Sequence, residues 1–98
     1  MIKVYTMNTC PDCIYIYEQI KGNSNYQIID IGAHVIYLKE FLQLRDTNPI
    51  FSGAKENGSI GIPCFVKEDG TVTLILEEVG LKSKQKDEVI ACSIKGGC

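Results

Sequence analysis

The chain opens on Ile2-Lys3-Val4-Tyr5-Thr6, where apolar and polar positions alternate. A period of two sends successive side chains to opposite faces and predicts a short strand. Asn8-Thr9-Cys10-Pro11 then reads as a helix start. Pro11 suits the first helical position, where its missing N–H costs nothing and its fixed φ is already helical. Cys13, Ile16, Tyr17 and Ile20 follow at i, i+3, i+4 and i+7, which predicts a helix burying one stripe and ending at Gly22 and Asn23. Tyr26 to Ile31 reads as a second strand, largely buried. Apolar residues at 35, 38, 41, 42 and 44 predict a second helix through about Arg45. Asn48-Pro49 opens a short helix that runs to Asn57-Gly58.

Gly61-Ile62-Pro63 leads into a third strand, Cys64 to Lys67. Glu68-Asp69-Gly70 supplies a tight turn, with glycine where φ > 0 is tolerated, and Thr71 to Leu76 pairs back as a fourth strand. From Ser83 onward, Val89, Ile90 and Ile94 suggest a last helix with a weak apolar face. Residues 93–98 read as a frayed end. A βαβ unit followed by a hairpin predicts an α/β fold, with a four-stranded mixed sheet and flanking helices. At 98 residues the chain makes a single domain, 1–98.

Charge adds little beyond exclusions. Ten Lys plus Arg against twelve Asp plus Glu leave a net charge of -2, which gives no electrostatic case for nucleic acid. Apolar runs fall far short of the roughly 20 residues needed to span a bilayer, so no membrane partner is expected. Met1-Ile2-Lys3-Val4-Tyr5 lacks the basic-then-apolar layout of a secretion signal, and the chain reads as cytoplasmic. Five cysteines, an odd number without repeating spacing, suit a reducing compartment in which thiols react, bind metal or simply pack.

Cys10-Pro11-Asp12-Cys13 stands out at the strand-to-helix junction. A sulfur at a helix start meets unpaired N–H groups and the positive dipole end, which favour the thiolate, the nucleophilic form. Cys13 lies one turn on, on the buried stripe, and should stay protonated. The asymmetry assigns roles: Cys10 attacks a disulfide and Cys13 resolves the mixed disulfide. The Asp12 carboxylate works against the Cys10 thiolate, so a milder pKa depression and a more reducing couple are expected. Zinc usually needs four protein ligands, and a second Cys-x-x-Cys or a Cys/His pair is absent from the sequence, so no metal site is assigned.

These residues, with Ile62-Pro63 and the hairpin after it, resemble a glutaredoxin or a glutaredoxin-related member of the thioredoxin-like superfamily, over about residues 1 to 80. The resemblance implies a thioredoxin-like, glutaredoxin-type fold and a thiol–disulfide oxidoreductase with Cys10 attacking and Cys13 resolving. It implies that Pro63 is cis and that the Ile62 backbone pairs with bound peptide or glutathione, with Pro11 and Asp12 beside it. The substrate would be a disulfide-containing protein or a glutathione mixed disulfide. No bound cofactor is required; electrons would come from glutathione or a reductase partner. Departures are specific: Asp12 stands where the family usually has an aromatic, Met7 where a lysine is common, and Leu74 to Gly80 carries a single glycine and two acids.

The rival reading is a metal or iron–sulfur carrier using Cys10 with Cys13 and Cys64, or with glutathione. A non-catalytic interaction domain is a third, disfavoured because a structural role would not need an exposed Cys10. Cys64 follows Pro63 and reads as a small buried hydrophobe. Cys92 and Cys98 could shuttle a disulfide from the pair, the plainer account being tail thiols. His34 reads as a surface residue, Tyr17 as core, and Tyr15 as a border of the substrate groove.

Overall fold

Strand pairing sets the architecture. In the computed structural model, which describes residues 1–83, β1 (Ile2–Thr6) pairs in parallel with β2 (Tyr26–Asp30) and antiparallel with β3 (Cys64–Val66). β4 (Val72–Thr73) pairs antiparallel with β3 and completes a mixed sheet of order β2-β1-β3-β4. Among the described residues three helices accompany it: α1 (Pro11–Ile20), α2 (Val35–Thr47) and α3 (Ser52–Glu56). The protein is thus α/β with a four-stranded mixed sheet. Among the described residues no helix is long and apolar enough to cross a membrane. The helix expected from Ser83 onward, the 93–98 end, Cys92 and Cys98 lie outside the described residues, apart from Ser83 itself.

Alternation in β1 builds two cores. Val4 is aligned with Phe65 of β3, and with Ile16 and Ile20 of α1 they form one apolar cluster, closed by Val79 and Leu81. Tyr5 is aligned with Cys64, and with Ile29 and Phe41 of α2 they form the other. The Phe41 ring lies 6.1 Å from that of Tyr5 and 5.8 Å from that of Phe51, the latter edge-on. Cys10, Cys13 and Ile62 belong to this second cluster, and Tyr17 packs against both. Each fully buried Ile or Phe contributes on the order of 2 kcal/mol in removed apolar surface.

Three expectations need correction. Ile28 is 47% exposed, not buried, because β2 is an edge strand and Ile28 points to the opposite face from Ile29. The fourth strand is short. The Thr73 hydroxyl accepts the Ile75 N–H at 3.1 Å, turning the chain after Val72–Thr73, and Leu76–Val79 then forms a 3-10 turn. The expected 48–57 helix divides into a 3-10 turn at Pro49–Phe51, capped by the Asn48 side chain, and α3.

Candidate active site

Cys10 is the N-cap of α1, with extended backbone, and Pro11 is the first helical residue. The Cys10 Sγ accepts the Cys13 backbone N–H at 3.4 Å, filling the role that a serine or aspartate oxygen usually takes. The preceding turn is held from both sides. Cys10 N–H donates to the Met7 carbonyl at 3.0 Å, and the Tyr17 hydroxyl is hydrogen-bonded to the Thr6 hydroxyl at 3.0 Å and donates to Asn8 Oδ1 at 3.1 Å.

That setting separates the two thiols. The Cys10 pKa is lowered from 9.0 to about 7, first by a hydrogen bond from the Cys13 thiol. Burial opposes this; the backbone N–H groups of Cys13 and Asp12 assist; and the Asp12 carboxylate pushes weakly upward. Asp12 therefore acts in the expected direction but is the smallest of the five influences. The Cys13 thiol is pushed far upward, first by its hydrogen bond to Cys10 and then by burial. Burial alone takes Cys64 up to about 12. All three are free thiols.

Cys10 is only 6% exposed and Cys13 is fully buried. The helix-start sulfur is thus far more enclosed than a sequence-based reading suggests, because it sits in the same cluster as Ile62 and Cys64. A groove of about 370 Å³ is walled by Asp12, Tyr15, Ile62, Pro63, Leu74 and Leu76 and closed by Ala54, Ser59, Gly61 and Ser83. Cys10 is not among its lining residues, and Ile62 is common to the groove and to the Cys10 cluster. Three of the predicted binding residues, Asp12, Ile62 and Pro63, meet there, and Tyr15 borders it. Pro11, the first residue of α1, is not among the lining residues. The Ile62–Pro63 peptide bond is cis.

The loop that carries Pro63 is fixed by a residue the sequence reading missed. Arg45 Nε donates to the Ile60 carbonyl at 2.7 Å, and its Nη2 donates to the Ser59 carbonyl at 2.9 Å. Its signal was available: Arg45 lies one turn after Phe41, so it shares the buried face of α2, where a charge needs a partner. Gly61 then approaches the Phe51 ring so closely that a Cβ would lie 2.7 Å from it, and its φ is +98°. Only glycine fits both demands.

His34 caps α2, its Nδ1 accepting the Ile36 N–H at 3.1 Å, and is exposed. Among the described residues no three His, Cys, Asp or Glu side chains are arranged to hold a metal ion.

No protein-family model matches the chain, and no solved structure matches it. It is 31% identical over 77 residues to an uncharacterized protein of Haemophilus influenzae, a match covering 78% of this chain and 90% of that protein. The chain belongs to the same family as that protein.

Proposed function

We propose that the chain is a glutaredoxin-like dithiol oxidoreductase of thioredoxin-like architecture, reducing disulfides of proteins or mixed disulfides with glutathione. The observation that carries this reading is the N-cap sulfur: Cys10 accepts an α1 backbone N–H and titrates near neutrality, one turn from a protonated thiol. The parallel βαβ unit, the antiparallel hairpin and a cis-proline at the entrance to β3 support the architecture.

The Cys10 thiolate attacks one sulfur of the substrate disulfide, forms a mixed disulfide and releases the other sulfur as a thiolate, which takes a proton from water. Cys13 then gives up its proton, attacks the Cys10 sulfur and expels the second substrate thiol. A Cys10–Cys13 disulfide forms, and two electrons and two protons have passed to the substrate. The coupling between the cysteines times the second step. While Cys10 is a thiolate it holds the Cys13 proton; once Cys10 is in a mixed disulfide that charge is gone, and the largest influence raising the Cys13 pKa goes with it. Glutathione or a dithiol reductase would reduce the pair again. The groove gives the captured group a place, with Ile62 and Pro63 on its wall.

The test is a single-turnover reaction with a small disulfide in a Cys92→Ser/Cys98→Ser background. Adding Cys13→Ser should leave one substrate adduct on Cys10, whereas adding Cys10→Ser should leave none. An adduct on Cys13 or Cys64, or equal partial loss of turnover in both variants, overturns the assignment.

A further inference from the structure

Sheet order leaves β2 at one edge and β4 at the other. β4 is two residues long and ends where Thr73 turns the chain, which makes it a poor template for another strand. β2 runs five residues, Tyr26-Gln27-Ile28-Ile29-Asp30, with no proline or lysine to blunt it and Ile28 47% exposed at its centre. Its backbone divides by parity. The Asn25 carbonyl accepts the Ile2 N–H at 2.7 Å, and Ile31 N–H donates to the Thr6 carbonyl at 2.8 Å, so the odd-numbered residues face β1. Tyr26, Ile28 and Asp30 therefore turn their N–H and C=O groups outward. Two of these groups are already satisfied within the chain. Tyr26 N–H donates to the Asn23 carbonyl at 3.3 Å, and the Asp30 carbonyl accepts the Ala33 N–H at 3.1 Å. The Tyr26 carbonyl, both groups of Ile28 and the Asp30 N–H have no partner among the described residues.

We propose that β2 pairs antiparallel with β2 of a second copy of this chain, about a two-fold axis at Ile28, joining the two sheets into one. The free groups select the register. Ile28 N–H donates to the carbonyl of the partner's Ile28, and Asp30 N–H donates to the carbonyl of the partner's Tyr26, each bond repeated by the axis. Every free group on both edges is then used. The two groups that this register leaves without a bond across the axis, Tyr26 N–H and the Asp30 carbonyl, are the two already bonded inside the chain. A slip of two residues either way sets an Ile28 group against one of those occupied groups. The strand's one charge, Asp30, stands beside the partner's Tyr26, so like charges do not meet. The axis is perpendicular to the sheet, which puts α2 of both copies on one face. A hollow of about 450 Å³ borders β2, with Ile29, Ala33 and Tyr37 in its lining, and the partner's Gln27, opposite Ile29, closes it. No residue lining the groove beside Pro63 lies on β2, so the pairing touches neither groove. The dimer forms whether or not Cys10 exchanges disulfides.

The contact is small, so association in the micromolar range is expected. Sedimentation equilibrium of the full chain, kept reduced, between about 1 μM and 1 mM should show a reversible monomer–dimer equilibrium. Exchange of the Ile28 and Asp30 amides should slow as the concentration rises. Ile28→Pro removes both central donors while breaking no hydrogen bond among the described residues, and should weaken the dimer about tenfold. Ile28→Lys keeps the backbone intact and sets two like charges against each other; it should weaken the dimer about threefold. In a Cys10→Ser/Cys92→Ser/Cys98→Ser background, Ile28→Cys should cross-link two chains on mild oxidation, because a hydrogen-bonded antiparallel pair holds its Cα atoms about 5.5 Å apart. Gln27→Cys, opposite the partner's Ile29, should not. A monomer at every concentration, a dimer unaffected by either Ile28 variant, or equal cross-linking from positions 27 and 28 overturns the proposal. So does a monomer whose Ile28 amide is protected at all concentrations, the result expected if residues 84–98 add to β2 within one chain.

Discussion

Replacing Cys13 with Ala removes the largest influence on the Cys10 thiolate, the hydrogen bond from the Cys13 thiol. Lowering the Cys10 pKa from 9.0 to about 7 corresponds to about 2.7 kcal/mol in favour of the thiolate. A hydrogen bond to a charged group contributes about 1.5–3 kcal/mol, and an S–H donor belongs at the low end. Loss of about 1.5 kcal/mol moves the Cys10 midpoint up to about pH 8. The backbone N–H groups of Cys13 and Asp12 remain and keep it below the ordinary thiol value. Intrinsic nucleophilicity rises with pKa, by about threefold for such a change. The variant should therefore react about threefold more slowly than the parent at pH 6 and about threefold faster at pH 9.5, the two profiles crossing near pH 7.5. The assay is the first phase of thiol release from an aromatic disulfide between pH 5 and 10, in a Cys92→Ser/Cys98→Ser background. Parallel profiles that never cross, or a parent midpoint near 9, would refute this account of how Cys10 is activated.

Other perturbations read other parts of the site. Gly61→Ala puts a Cβ into the Phe51 ring at a positive φ and should cost about 3 kcal/mol in urea unfolding while slowing the Cys10 reaction. Arg45→Met removes both hydrogen bonds to the 59–60 carbonyls; it should lower stability by about 1–2 kcal/mol and raise KM for a peptide disulfide more than it lowers kcat. Tyr17→Phe frees Thr6 and Asn8 from their shared hydrogen-bond partner and should cost about 1 kcal/mol by chemical denaturation. Phe41→Ala, at the centre of the aromatic cluster, should cost about 3–5 kcal/mol in the same measurement.

The helix start was legible because its determinants are local. Pro11, the four-residue cysteine motif and the stripe through Ile16 and Ile20 are decided within one or two turns, and α1 begins and ends where those residues predict. The topology was legible for the same reason, since a βαβ pattern and a Glu68-Asp69-Gly70 turn each act over a few residues. The enclosure of Cys10 was not legible. It depends on the 59–63 loop arriving from across the chain, held by Arg45 and by a glycine pressed against Phe51. The end of β4 escaped notice because a side chain, Thr73, decides it by capturing the Ile75 N–H, which hydrophobic pattern does not encode. The exposure of Ile28 followed from strand order rather than from its own neighbours.

The central claim is that one sulfur captures and the other releases. Mixing the Cys92→Ser/Cys98→Ser protein with one equivalent of an aromatic disulfide and counting thiols released tests it most directly. The account predicts two thiols per chain and a new disulfide joining Cys10 to Cys13, with none released by the Cys10→Ser variant. Release of a single thiol, with the substrate half still attached and Cys13 still free, would contradict it.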